Sequence, residues 1–307
     1  MSDQFPELRV IGSYSPSDCA QKLRELGDEQ RAREFDQLAA DEEGGRSLGI
    51  FGIRKKKPPA YMFISHNFGF IAPAPTDKHL GIAPAGTFNG QSGLAGLRLN
   101  VTLNRLFIAE YPGAGEHKVL FNFAAVNYLG KNDLGEKVEE SLQFNMTVRA
   151  RNGEHAAIIG WPIFSGLTAG PNGIAFECNT INVKNTDDEK FLSFLDSDVF
   201  RKGLDVLTVV QPAMKPLVAI SSGLMRALGQ RHRNVPVQSF YMGLDFGDNP
   251  LGARLAEGDY VAVQAPADKW DWTEIVYDKA RGQLVRADGL APVTDYNYVV
   301  FGINRMH

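Results

Sequence analysis

A chain of 307 residues with 44% apolar side chains can bury a core of its own, and its formal net charge of −4 gives no general attraction to nucleic acid. The two cysteines, Cys19 and Cys178, are too few and too far apart for a disulfide framework or a cysteine zinc site. The opening Met1-Ser2-Asp3-Gln4 lacks the basic and apolar regions of a secretory leader, and no apolar run reaches the roughly 18 residues of a membrane helix, so a soluble cytoplasmic protein is expected.

The N-terminal element, residues 1–47, reads as a helical pair. Ser15, Pro16 and Asp18 supply an N-cap, a first-turn proline and an acidic first turn. Gly27 breaks the helix, and Phe35, Leu38 and Ala39 form a second stripe at helical spacing before Gly44-Gly45. A β domain is expected over residues 48–307, opening with a short strand at Leu48–Ile53. The basic cluster Arg54-Lys55-Lys56-Lys57 follows; it is an anion- or lipid-binding candidate, against the plainer reading of a solvated turn.

Ala60–Pro73, with Tyr61, Phe63, Phe68 and Phe70, has the continuous apolar character of a strand buried on both faces, and His66 within it reads as a core or edge histidine. Residues 72–96 are rich in glycine, alanine and proline and read as a long loop that could cover a ligand site; Gly90, Gly93 and Gly96 match neither a phosphate loop nor a dinucleotide fingerprint. Leu97–Glu110 and Lys118–Tyr128 are strands. The clearest alternation lies in Glu139–Trp161, where Leu142, Phe144, Met146, Val148 and Ala150 share one face and Ser141, Gln143, Asn145, Thr147 and Arg149 the other. Asn152-Gly153 then predicts a type I′ hairpin into a second strand at Ala156–Trp161, and Ile174–Val183 adds another.

The pattern changes at Thr186-Asp187-Asp188-Glu189, a capping box, and residues 186–230 read as a helical insertion closed by Arg231-His232-Arg233. Val235–Phe246, Tyr260–Ala265 and Tyr296–Ile303 return to β. The fold expected is therefore mainly β: an antiparallel β-sandwich with an N-terminal helical pair and a helical insertion at about 186–230.

Chemistry is harder to read. No nucleophile elbow exists, the six histidines are scattered, and no metal-ligand spacing occurs. Asp245 and Asp248, in the turn Asp245-Phe246-Gly247-Asp248, have the least structural role among the paired aspartates and are the calcium candidates; other cofactors are unknown. Aromatic candidates for a ligand or partner surface are Phe68, Phe70, Trp161, Trp270 and Trp272. Arg231 and Arg233 join the basic cluster as anion- or lipid-binding candidates. The function expected is a non-catalytic binding or interaction module with a protein partner, such as a subunit or adaptor of an intracellular complex. Two other classes compete with it. A membrane-targeting or pore-forming effector would use Leu204–Leu228 and the basic residues at 54–57, and a hydrolase acting on a sugar or small molecule would need a cleft where His66, His232 or paired carboxylates converge.

Overall fold

The structure is a computed structural model that describes residues 9–43, 57–184, 232–247 and 252–306. It is mainly β, with 49% strand and 16% helix, and the strand at Leu48–Ile53 and the helical insertion at 186–230 lie outside the described residues.

The helical pair forms as the capping chemistry dictates. In α1 (Pro16–Glu25) the Ser15 hydroxyl accepts the Asp18 N–H at 3.2 Å, and Gly27, at φ +79°, turns the chain into α2 (Glu29–Glu43). Cys19, Leu23, Leu26, Ala32 and Phe35 carry the pair's apolar faces into the main core, and Arg31 bridges to Glu110 at 2.8 Å.

Three sheets stack in layers. The middle one is built from β1 (His66–Ile71), β3 (Ala83–Pro84), β4 (Arg98–Ile108), β7 (Glu154–His155), β8 (Trp161–Thr168), β12 (Gly258–Gln264) and β15 (Asn297–Arg305). Its order is β3-β1-β12-β15-β4-β7, with β8 also on β4. The second has the order β11-β10-β9-β5-β6, from β5 (Glu116–Lys131), β6 (Lys137–Arg151), β9 (Ile174–Val183), β10 (Asn234–Asp245) and β11 (Ala253–Arg254). A third, β14-β13-β2, joins β2 (His79–Gly81), β13 (Ile275–Asp278) and β14 (Gln283–Arg286). Every strand pair is antiparallel except β10 with β11.

The two large sheets face each other across an aromatic layer. Phe301 of the middle sheet meets Phe123 and Phe176 of the second in edge contacts at 5.2 and 5.8 Å, as the ring quadrupole favours. The opposite face of the middle sheet packs Val261, Val263, Tyr298 and Val300 against Leu80, Ile275, Tyr277 and Leu284 of the small sheet. Strands β12 and β15 are thus covered on both sides, which is why their sequences are continuously apolar.

Several expectations change. The strand expected over Ala60–Pro73 is only β1, preceded by a one-turn 3-10 segment at Ala60–Met62. The Asn152-Gly153 turn forms, but Gly153 alone takes a positive φ (+79°), so it is not the type I′ turn, and β7 pairs with β4 in the other sheet rather than with β6. The Asn152 side chain instead accepts the Tyr111 N–H at 2.8 Å. The next strand begins at Trp161 and not at Ala156. The hairpin partner of β6 is β5, in unbroken register from Glu116↔Arg151 to Tyr128↔Glu139.

Candidate functional site

One end of the aromatic layer is polar. His66 at the start of β1, Gln264 at the end of β12 and Asn297 at the start of β15 meet across strand pairs in register, and Thr180, Asn182 and Gln238 face them from β9 and β10. Asn297 Nδ2 donates to Gln264 Oε1 at 2.8 Å, and Gln264 Nε2 donates to the carbonyls of Phe63 (2.6 Å) and Val237 (3.0 Å). The buried Tyr111 hydroxyl lies 2.8 Å from Thr180 Oγ1 and accepts from Gln238 Nε2 at 2.8 Å. His117 Nδ1 and Asn182 Nδ2 are 3.1 Å apart.

Satisfaction is incomplete. The buried atoms Tyr61 Oη and Asn182 Oδ1 have no hydrogen-bond partner within the described residues, while the His66 ring is turned to the Gln238 side chain and the His117 ring to Asn152 and Asn182. Burial pushes His66 and His117 down to about 4 and raises the Tyr111 phenol above its ordinary range. At neutral pH the cluster is therefore uncharged, and it offers hydrogen bonds but no ionised base. Cys19 and Cys178 are buried thiols raised by burial, Cys19 to about 12, and neither is an activated nucleophile.

The aromatic candidates do not assemble into one surface. Phe70 is core, stacked on Phe88 at 4.0 Å and tilted on Tyr260 at 5.2 Å, while Phe68 packs on Phe240 in the same layer. Trp272 is buried on the other side of the middle sheet, where Trp270 meets it edge-on at 5.2 Å and Tyr296 at 5.4 Å. Trp161, at the start of β8, is 38% exposed. The charged candidates are dispersed too. Lys57 sits over the Tyr296 ring and on Asp295 at 2.9 Å, Arg233 packs by its backbone against Glu25 at the end of α1, and Arg54, Lys55, Lys56 and Arg231 lie outside the described residues.

Asp245 Oδ1 is bound by Arg254 Nη1 at 2.6 Å and by the Gly247 N–H at 2.8 Å, and Asp248 lies outside the described residues. Among the described residues no group of three or more His, Cys, Asp or Glu is placed to hold a metal. Beside Asp245, Phe246, Gly247 and Arg254 meet the glycine-rich stretch 86–90 around a recess of ≈ 290 Å³. Gly90 is required there, since a Cβ would come within 2.8 Å of the Phe246 backbone. The two histidines considered for a hydrolase site do not converge: His66 lies between the sheets against Phe240 at 4.9 Å, whereas the His232 side chain is 67% exposed beside Glu25.

A feature that the sequence reading missed is the tip of the β5–β6 hairpin; β6 ends its sheet among the described residues, and Gln143 and Thr147 on it have partners. The hairpin continues to an exposed apolar tip, with Leu129 54% and Leu134 83% exposed. The available signal was Lys131-Asn132-Asp133-Leu134-Gly135, a turn composition that carries a leucine.

No helix among the described residues is long and apolar enough to cross a membrane. No family model, no curated protein and no solved structure matches this chain.

Proposed function

We propose that this protein is a non-catalytic interaction module that docks a protein partner at the tip of the β5–β6 hairpin, as a subunit or adaptor of a larger assembly. The observation that carries this reading is the apolar tip of that hairpin, where Leu129 is 54% and Leu134 83% exposed, because clustered exposed leucines are more often a contact surface than a solvated one. The uncharged, buried polar cluster between the sheets adds to it, since it supplies rigidity without an ionised base for chemistry.

Site-specific photocrosslinking in the native host tests it. A photoreactive residue at Leu134, at the hairpin tip, is expected to give discrete protein adducts, whereas one at the exposed Asp288 beyond β14 gives none. Leu129→Ser, which removes the other exposed leucine of the tip, is expected to weaken the Leu134 adducts while leaving the fold intact. The same sparse background at Leu134 and Asp288 would overturn the reading.

A further inference from the structure

The β5–β6 hairpin outruns its sheet. Strand β9 accompanies β5 only from Lys118 to Ala125, whereas the pairing of β5 with β6 runs on to Lys131↔Lys137, so Val126–Lys131 adds about 20 Å of hairpin. Two strands alone are marginal in water, and none of residues 129–137 is buried, so packing does little to fix this end. Its shape is set by its own bonds.

Those bonds converge on Asn132. Its side-chain oxygen accepts the N–H of Leu134 at 3.0 Å and that of Glu136 at 2.9 Å, while its amide nitrogen donates to Glu136 Oε2 at 2.9 Å. Its backbone closes the loop as well: the Asn132 N–H donates to the Glu136 carbonyl at 2.9 Å, and the Asn132 carbonyl accepts the Gly135 N–H at 2.9 Å. Leu134 is thereby fixed inside the turn with its side chain turned to water, 83% exposed. Leu129 is brought out by a different device. The register shifts between Tyr128 and Gly130, which oppose Glu139 and Val138, so Leu129 is the extra residue of a bulge and has no residue opposite it on β6.

We infer that Asn132 is the positioning residue of this docking site: it holds Leu134 preformed, with the bulged Leu129, as an apolar knob that enters a concave apolar pocket on the protein partner. The inference rests on the proposed docking tip, and it names the residue that shapes the tip and the surface that the tip fits. A narrow convex tip buries much of its area only in a surface that closes around it, and a tip ordered before contact loses less conformational entropy on binding. Lys131 and Lys137 are balanced by Asp133 and Glu136, so the tip has no surplus positive charge to draw it to an anionic lipid surface.

Crosslinking from Leu134 in the native host, joined to amide hydrogen exchange on the purified full-length chain, tests the inference. Asn132→Ala is expected to speed exchange at the Leu134 and Glu136 amides about tenfold and to cut the Leu134 adducts several-fold. The midpoint of global unfolding is expected to stay where it is, because residues 129–137 are not buried. Asn132→Asp sets a second carboxylate against Glu136 and is expected to lose adducts too. Adding Glu136→Gln lets the new amide donate to the new carboxylate, and this swap is expected to recover both the protection and the adducts. Three results would each overturn the positioning role: unprotected Leu134 and Glu136 amides in the wild type, adduct yields that Asn132→Ala leaves unmoved, or a swap no better than Asn132→Asp alone. The docking tip itself stands in those cases as long as Leu134 adducts form; if the wild type gives no more adducts at Leu134 than at Asp288, both fall.

Discussion

The layer between the two large sheets is apolar at one end and polar at the other, although the same strands build both. Towards one end Phe123, Phe176, Tyr260 and Phe301 interlock as rings. Towards the other lie Gln264 and Asn297, bonded to each other, and Thr180 and Gln238, joined by the Tyr111 hydroxyl. The aromatic end gains stability from area and fit, which are non-directional. The polar end gains it only where each donor finds an acceptor, and its unpartnered atoms mark where that gain is incomplete. Stability and conformational specificity are therefore placed at opposite ends of one layer.

Truncation at the aromatic end is expected to have the largest effect. Phe123 is fully buried and touches Phe121, Phe164, Phe176 and Phe301, so Phe123→Ala removes four ring contacts and leaves a cavity. A loss of about 3–5 kcal/mol in denaturant unfolding is expected. A loss below about 1 kcal/mol would mean that the two sheets are not packed through this residue. At the polar end, Tyr111→Phe keeps the ring and removes only the hydroxyl, leaving Thr180 Oγ1 and Gln238 Nε2 each without the partner now at 2.8 Å. A loss of about 1–3 kcal/mol is expected, larger than for a surface tyrosine because both abandoned groups are buried.

The comparison also shows where the sequence was readable. The N-cap at Ser15, the break at Gly27 and the alternation of β6 are local, and each appears in the structure where the residues put it. Pairing is not local. Nothing in Asn152-Gly153 says that the chain leaves one sheet for the other there, and the three- and four-residue strands β2, β13 and β14 are too short to show a period, so the third layer went unread. The candidate sites suffered in the same way. Phe70 and Trp272 have the sequence character of either a surface aromatic or a core one, and burial decided for the core. Gln238, Gln264 and Asn297 carry no local signal of burial, and only the sheet order brings them into one layer. That β6 ends its sheet among the described residues follows only from the order of all five strands there.

Acid distinguishes the two ends further. His66 and His117 have folded-state values near 4, below the unfolded value of about 6.5, so the unfolded chain binds more protons between those limits. Stability is therefore expected to fall as pH drops from about 6.5 towards 4 and to lose no more from these two groups below that. His66→Phe keeps a ring against Phe240 and removes one of the two titrations. Its loss of stability between about pH 7 and pH 4 is expected to be smaller than that of the wild type by about 1–2 kcal/mol, read from unfolding curves at each pH. Equal slopes for the two proteins would show that His66 is solvated rather than held neutral between the sheets.

The smallest effect expected has the opposite sign and lies on the far face of the middle sheet. Asp259, opposite Gly302 on β15, has one side-chain partner, Asn104 Nδ2 at 2.7 Å, and burial pushes its carboxyl up to about 6. A carboxyl whose folded value exceeds the unfolded one binds its proton more tightly in the native state, so its contribution is fullest at low pH and is lost as pH rises through about 6. Where the polar end of the layer uses neutral amides, this position buries a carboxylate at neutral pH. Asp259→Asn removes that charge and keeps the shape, with its amide oxygen still able to accept from Asn104. Thermal unfolding near pH 7.5 should show a gain of about 1 kcal/mol that disappears below about pH 4, where the wild-type carboxyl is protonated in both states. A gain that persists at low pH would come from packing or from the unfolded chain, and a loss at every pH would mean that the ionised carboxylate is held by its partner more strongly than burial opposes it.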